Sequence, residues 1–356
     1  MRNNKLLPQP FLAWVGMFLL FPLFGGLAAA VTHFPSAEWE RYETPEKAGF
    51  SGEGLAAVRE ESEKLDTAAL MIIHRGRVVE AWGDLETEFE CHSIRKSFLS
   101  ALYGIQVEKG AISMDATMAD LGIDDNNPLD EVEKRATVRM LLKARSGVYH
   151  PALYETAAMA AKRPERHSHV PGTFWYYNNW DFNALGTIYE QETGEKLHQS
   201  FEMRIAKPIG MTDYSAGDGR YVTGSDSRHP AYPFRMSARD MARFGLLFLN
   251  GGKWEGKQLV SESWVKESTA SHSDAGDKGG YGYLWWVSVD GRHFSGAGDV
   301  PAGTYTGRGS RGHVLAIMPS HDLVVVHRVN TSERGNRVPY EEFGKLLAGI
   351  LEAEGN

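Results

Sequence analysis

Leu55, Val58 and Leu65 recur among charged positions along "GEGLAAVREESEKL", residues 52–65, and this spacing predicts an amphipathic helix. The pattern then changes period. Two runs rich in strand-forming residues, 68–73 and 77–82, flank His74-Arg75-Gly76 and predict a hairpin. Toward the other end, "GYGYLWWVSV", "AGTYTGRG", "HVLAIMP" and "LVVVHRV" are four more strand candidates with turn signals between them. "PYEEFGKLLAGILEAE" closes the chain as a second amphipathic helix. From about residue 93 to 276 the patterns are helical, as in "SIRKSFLSALYGIQVEKG", "TVRMLLKA" and "SARDMARFGLLFLNGG", and strand signals are sparse. The expected fold class is α+β: an antiparallel sheet of about five strands flanked by terminal helices, with a mostly helical lobe inserted between strands two and three. That makes residues 31–356 one domain, with an α/β lobe at about 45–92 and 277–356 and a helical lobe at about 93–276. A site is expected at the seam between the lobes.

The first 30 residues stand apart. Arg2 and Lys5 precede an apolar run from Phe11 to Val31, and Ala28-Ala29-Ala30 offers a small-x-small cleavage site. This pattern reads as a secretory signal, so the protein is expected to be exported, periplasmic or secreted. The alternative is an uncleaved membrane anchor through residues 11–31, since the run is long enough to span a bilayer. Membrane association is expected only in that case. The net charge of −8, from 38 basic and 46 acidic residues, and the absence of a basic run in the body argue against nucleic acid as a partner. One cysteine, Cys91, excludes an internal disulfide and cysteine-based zinc clusters, and reads as a small buried hydrophobe.

Candidate chemistry begins at "CHSIRKSFLSALYG". Ser93 and Lys96 form a Ser-x-x-Lys, and residues i and i+3 of a helix share a face. In the first turn, free backbone N–H groups and the helix dipole would stabilise negative charge near Ser93. Desolvation would lower the pKa of Lys96 and leave a neutral amine as a usable base. The motif alone is weak, because Ser263-x-x-Lys266 is a second copy, read as a surface helix start capped by Ser261. "TFWYYNNWDF" (173–182) holds two overlapping Tyr-x-Asn copies, at Tyr176 and at Tyr177. His167-x-His169 is too small a set for a metal site, and no metal or organic cofactor is expected. His313 and His327 lie in strand candidates and read as structural. Trp175, Trp180, Trp285 and Trp286 read equally as the lining of an apolar acyl pocket or as core.

The order and spacing of these motifs resemble the serine β-lactamase and penicillin-binding-protein-like hydrolases. The matching branch holds class C β-lactamases, D-alanyl-D-alanine peptidases, esterases and aminohexanoate-oligomer hydrolases. The resemblance covers about residues 45–350, including "ATVRMLLKARSGV" (136–148), which is similar to the family's helix leading to Ser-Gly. In the family the second motif is Tyr-x-Asn, with the tyrosine nine positions before a Leu-Gly glycine. Counting back from Leu185-Gly186 selects Tyr177 and Asn179. The third motif, normally Lys/His-Thr/Ser-Gly on the strand edging the site, falls here on Gly307-Arg308-Gly309. The usual cation is missing and Arg308 replaces the hydroxyl residue. That departure resembles the esterase and aminohexanoate-dimer-hydrolase branch.

The resemblance implies a serine hydrolase acting on a small-molecule ester or amide through an acyl-enzyme on Ser93. Lys96 and Tyr177 would share the proton, and Asn179 would orient Lys96 and the substrate. The N–H groups of Ser93 and Ser310 would form the oxyanion hole. Gly307, Arg308 and Gly309 would line the substrate site. A carboxylesterase or linear-amide hydrolase is favoured. Two alternatives stay open: a β-lactamase or D-alanyl-D-alanine carboxypeptidase, and a non-catalytic binding module of the same fold.

Overall fold

Strand β1 (Thr67–His74) turns into β2 (Arg77–Gly83) through Arg75 and Gly76, whose φ angles are 51° and 81°. Two left-handed residues give the turn whose twist matches a hairpin. Only glycine fits the second position, because a Cβ there would lie 1.7 Å from the His33 carbonyl oxygen. The computed structural model describes Met1 and residues 33–294 and 298–355. The segment read as an export signal or anchor lies outside the described residues, apart from Met1.

Three further long strands are β3 (Tyr305–Gly309), β4 (His313–Met318) and β5 (Leu323–Val329). The sheet order is β2-β1-β5-β4-β3, and every pairing is antiparallel. Three two-residue strands, Trp286–Val287, Gly280–Tyr281 and Ser273–Asp274, extend it beyond β3 to eight strands. The sheet thus has eight strands where about five were expected, five of them long. The run 280–289 predicted as one strand is instead a tight hairpin, in which Gly280 pairs with Val287 and Tyr281 with Trp286. Leu284, at φ 66°, sits in its turn. Burial of both arms leaves the run as apolar as a single core strand.

The helices that frame the site are α1 (Gly52–Glu63), α2 (Arg95–Glu108), α3 (Asn179–Thr193), α4 (Ala238–Leu249), α5 (Glu262–Ser268) and α6 (Tyr340–Ala353). Strand β5 is buried along its whole length because helices cover both faces of the sheet. Leu323, Val325 and Val329 face α1 and α6, where they meet Leu55, Val58, Phe343 and Leu347. Val324 and Val326 join the other layer, with α2 and α4. Helix α2 is buried from Arg95 to Gln106 and so is enclosed on all sides. Its Phe98 ring sits between those of Phe201, Phe234 and Phe244, at 5.0, 5.4 and 4.9 Å. This packing fixes the start of α2, and with it Ser93, against β3.

Candidate active site

Ser93 lies in a 3-10 turn, His92–Ile94, that feeds directly into α2. His92 has a φ of 47°, an uncommon value for a residue with a Cβ. Its surroundings hold it there: Nε2 is 2.9 Å from Thr331 Oγ1, and the ring packs 5.2 Å from that of His313. The Ser93 N–H has no hydrogen-bond partner among the described residues. One turn on, the Lys96 Nζ is 2.8 Å from Ser93 Oγ and 2.8 Å from Tyr177 Oη.

Burial shifts Lys96 and Tyr177 in opposite directions. Lys96 is buried, with the rings of Tyr177 and Phe182 at 4.6 and 4.7 Å. Burial, and secondarily the neighbouring Arg95 charge, hold its pKa well below the ordinary lysine value. The neutral amine is therefore favoured. Burial pushes the Tyr177 phenol up to about 12, against opposing effects of its Ser93 hydrogen bond, Arg95 and Arg308. Burial thus acts in opposite senses on the pair, favouring the neutral form of both groups.

The two Tyr-x-Asn copies point to different places. Tyr177 faces Lys96, whereas the Tyr176 hydroxyl donates to the Met159 carbonyl at 3.1 Å. Asn178 is the N-cap of α3: its side-chain oxygen accepts from the Trp180 N–H at 3.2 Å, and its amide donates to Val148 and Asp181. Asn179 lies beside Ser93 but does not hold Lys96 as expected. Its Nδ2 is 3.4 Å from the Met159 sulfur, and no hydrogen bond joins it to Lys96. As the first residue of α3 it is tied to the helix start, and Lys96 already has Ser93 and Tyr177 as partners.

The Gly307-Arg308-Gly309 segment ends β3 against the serine turn. A Cβ on Gly309 would lie 2.5 Å from the Cys91 carbonyl oxygen. One on Gly307 would meet Ser97 Oγ at 3.1 Å and Ile94 Cγ2 at 3.2 Å. The glycines thus let the strand pack directly on the Ser93 turn. Arg308 is buried, its pKa lowered by that burial to about 9. Its guanidinium lies between the rings of Phe294 and Trp286, at 4.5 and 4.8 Å, and donates to Thr306 Oγ1 and the His293 carbonyl. The Gly309 carbonyl accepts from the Tyr340 hydroxyl at 2.6 Å. In a trans peptide the C=O and N–H point in opposite directions, so this bond fixes where the Ser310 N–H points. That N–H also lacks a hydrogen-bond partner among the described residues.

Two cavities meet at Ser93, Ser310 and Arg311. The larger, about 610 Å³, is lined by Trp175, Tyr177, Trp286, Phe294, Arg308 and Tyr340, with Lys162 and Lys278 also on its wall. The smaller, about 320 Å³, is lined by His92, Tyr154, Glu155, Thr156, Asn179 and Thr331. Of the four tryptophans singled out, Trp175 and Trp286 line the larger cavity. Trp180 and Trp285 are core residues; Trp180 Nε1 donates to Asp125 at 2.7 Å. Sequence reasoning missed Met159, Phe294, Lys278 and Tyr340. Only Tyr340 carried a signal, as an aromatic at the start of the last helix. The second Ser-x-x-Lys is the exposed start of α5, capped by Ser261. Cys91 is buried, and burial pushes its thiol up to about 11.

The beta-lactamase family model matches residues 54–349. An uncharacterised protein of Alkalihalophilus pseudofirmus is 24% identical over 307 residues, covering 77% of this chain and 87% of its own. The lovastatin esterase of Penicillium rubens is 30% identical over 137 residues, covering 30% of this chain and 34% of its own. A solved Bacillus anthracis structure, named for the 6-aminohexanoate-dimer hydrolases, superposes with a TM-score of 0.64 at 22% identity and covers 90% of this chain and 88% of its own. That likeness is one of fold.

Proposed function

This chain belongs to the beta-lactamase family of serine hydrolases, and from that premise we propose that it cleaves an ester or a linear amide through an acyl-enzyme on Ser93. The observation that carries the reading is the chain of 2.8 Å contacts from Ser93 Oγ to a desolvated Lys96 and on to Tyr177 Oη. Lys96 takes the Ser93 proton as Oγ bonds to the carbonyl carbon. The oxyanion sits between the Ser93 and Ser310 N–H groups, and each such donor is typically worth about 10²–10³ in rate. Tyr177 passes the proton to the leaving oxygen or nitrogen as the C–O or C–N bond breaks. Water then bonds to the acyl carbon, its proton goes to the same Lys96–Tyr177 pair, and that proton returns to Ser93 Oγ as the Oγ–acyl bond breaks. Asn179 is retained as a wall of the site.

The third-motif segment favours esters and linear amides over β-lactams and D-alanyl peptides. The Arg308 guanidinium is engaged by Thr306, His293 and two rings, so it does not project as a lone carboxylate-binding cation would. The name of the lovastatin esterase among its relatives supports the ester side of this preference. The test is a panel of p-nitrophenyl esters, linear amides and penicillins. Turnover of esters or amides with slow acylation by penicillin is expected; fast penicillin acylation and no ester turnover would favour the β-lactamase or carboxypeptidase alternative. The basic and apolar N-terminal pattern supports action after export, checked by whether the secreted protein begins near residue 31.

A further inference from the structure

Met159 lines both cavities that meet at Ser93. It sits in a short exposed helix, Ala157–Ala160, yet is pinned on three sides. Its N–H is 3.2 Å from Thr156 Oγ1, its carbonyl accepts from Tyr176 at 3.1 Å, and its sulfur lies 3.4 Å from Asn179 Nδ2. Both tyrosine–asparagine copies therefore contribute to holding one methionine beside the nucleophile. The compartments it separates differ in size and in chemistry. The larger is walled by aromatic rings, with Lys162 and Lys278 also lining it. The smaller is lined by Tyr154, Glu155, Thr156 and Asn179.

A hydrolase needs room on both sides of the bond it cuts. The leaving atom must lie within reach of the group that returns its proton. Tyr177 lines the larger compartment and not the smaller, and Asn179 the reverse. The geometry points to a divided substrate site in which Met159 is the partition: a bulky aromatic or apolar leaving group occupies the larger compartment, and a short, polar acyl group the smaller. This rests on the acyl-enzyme reading above. It assigns Trp175 and Trp286 to the leaving group rather than to the acyl chain. Met159 is a specificity-determining residue in this scheme and takes no part in the proton transfers.

The experiment compares two aryl ester series matched in leaving-group acidity. One holds the acyl group as acetyl and enlarges the alcohol from phenyl to naphthyl to pyrenyl. The other holds the phenyl leaving group and lengthens the acyl group from acetyl to hexanoyl to naphthoyl. In the wild-type protein kcat/KM is expected to hold or rise along the first series and to fall at least ~10-fold along the second, a difference of the size that pocket contacts supply. Met159→Ala is expected to raise the ratio of naphthoyl to acetyl turnover by ~10-fold, and Met159→Trp to lower it. Tolerance of acyl bulk with rejection of alcohol bulk, or an unchanged ratio in both variants, overturns the proposal. Failure of the underlying reading looks different: no turnover of phenyl acetate and no Ser93-dependent labelling.

Discussion

At the scale of single residues, the site depends on two opposed effects of burial. Desolvation disfavours charge, so it lowers the pKa of Lys96 and raises that of Tyr177. Activity is therefore expected to fall as pH is lowered through the depressed pKa of Lys96, where the amine takes up a proton. The same shift enters stability. The unfolded chain holds its lysine proton up to ~10.4, above the folded value, so it binds more protons in the window between the two. The contribution of Lys96 to stability thus rises with pH across that window and is a full penalty below it. Lys96→Met should flatten this rise, read as urea midpoints at several pH values; an unchanged profile would contradict a desolvated amine. Tyr177→Phe is expected to lower kcat/KM by ~10²–10⁴, the range for a positioned proton carrier. Tyr176→Phe removes one hydrogen bond to the Met159 carbonyl and should cost only ~0.5–1.5 kcal/mol of stability. Kinetics of the two variants side by side check the register, and the reverse order would contradict it.

At the scale of elements, the site is a meeting of the α2 start with the end of β3. Gly309 allows that approach, and Tyr340 on α6 fixes the peptide that presents the Ser310 N–H. Gly309→Ala sets a Cβ against backbone and is expected to cost ~1–3 kcal/mol, with a fall in kcat/KM of ~10² from displaced geometry. Gly307→Ala meets side-chain atoms at longer range and should cost less on both counts. Denaturation curves and kinetics of the two variants test this ordering. Much at this scale was legible in the chain. The hairpin, the two terminal helices and the three long C-terminal strands follow from apolar period and turn residues alone. Less legible was the splitting of residues 280–289 into two short strands, since a hairpin buried on both arms keeps the composition of one core strand. Asn179 lies where its spacing placed it, on the wall of the smaller cavity beside Ser93, with its amide 3.4 Å from the Met159 sulfur. Met159 itself lies in a helix of four residues, Ala157–Ala160, too short to show an apolar period, and gave no signal.

At the scale of the whole molecule, α1 and α6 together cover one face of the sheet that supports the site. The Ser51 N–H donates to the Ala353 carbonyl at 2.7 Å, and the Gly355 N–H to the Gly49 carbonyl at 2.8 Å, so the residues before α1 are tied to the end of α6. On the other side of the sheet, α2 is enclosed by helices and aromatic rings, and the His92–Ile94 turn that leads into it opens to the cavities. One of the two Ser-x-x-Lys copies is thus built into the core and the other lies on the surface. Intact-mass measurement after reaction with a fluorophosphonate tests this most directly. A single adduct is expected, mapping to the peptide that contains Ser93, lost in Ser93→Ala and kept in Ser263→Ala. An adduct that survives Ser93→Ala would contradict the account.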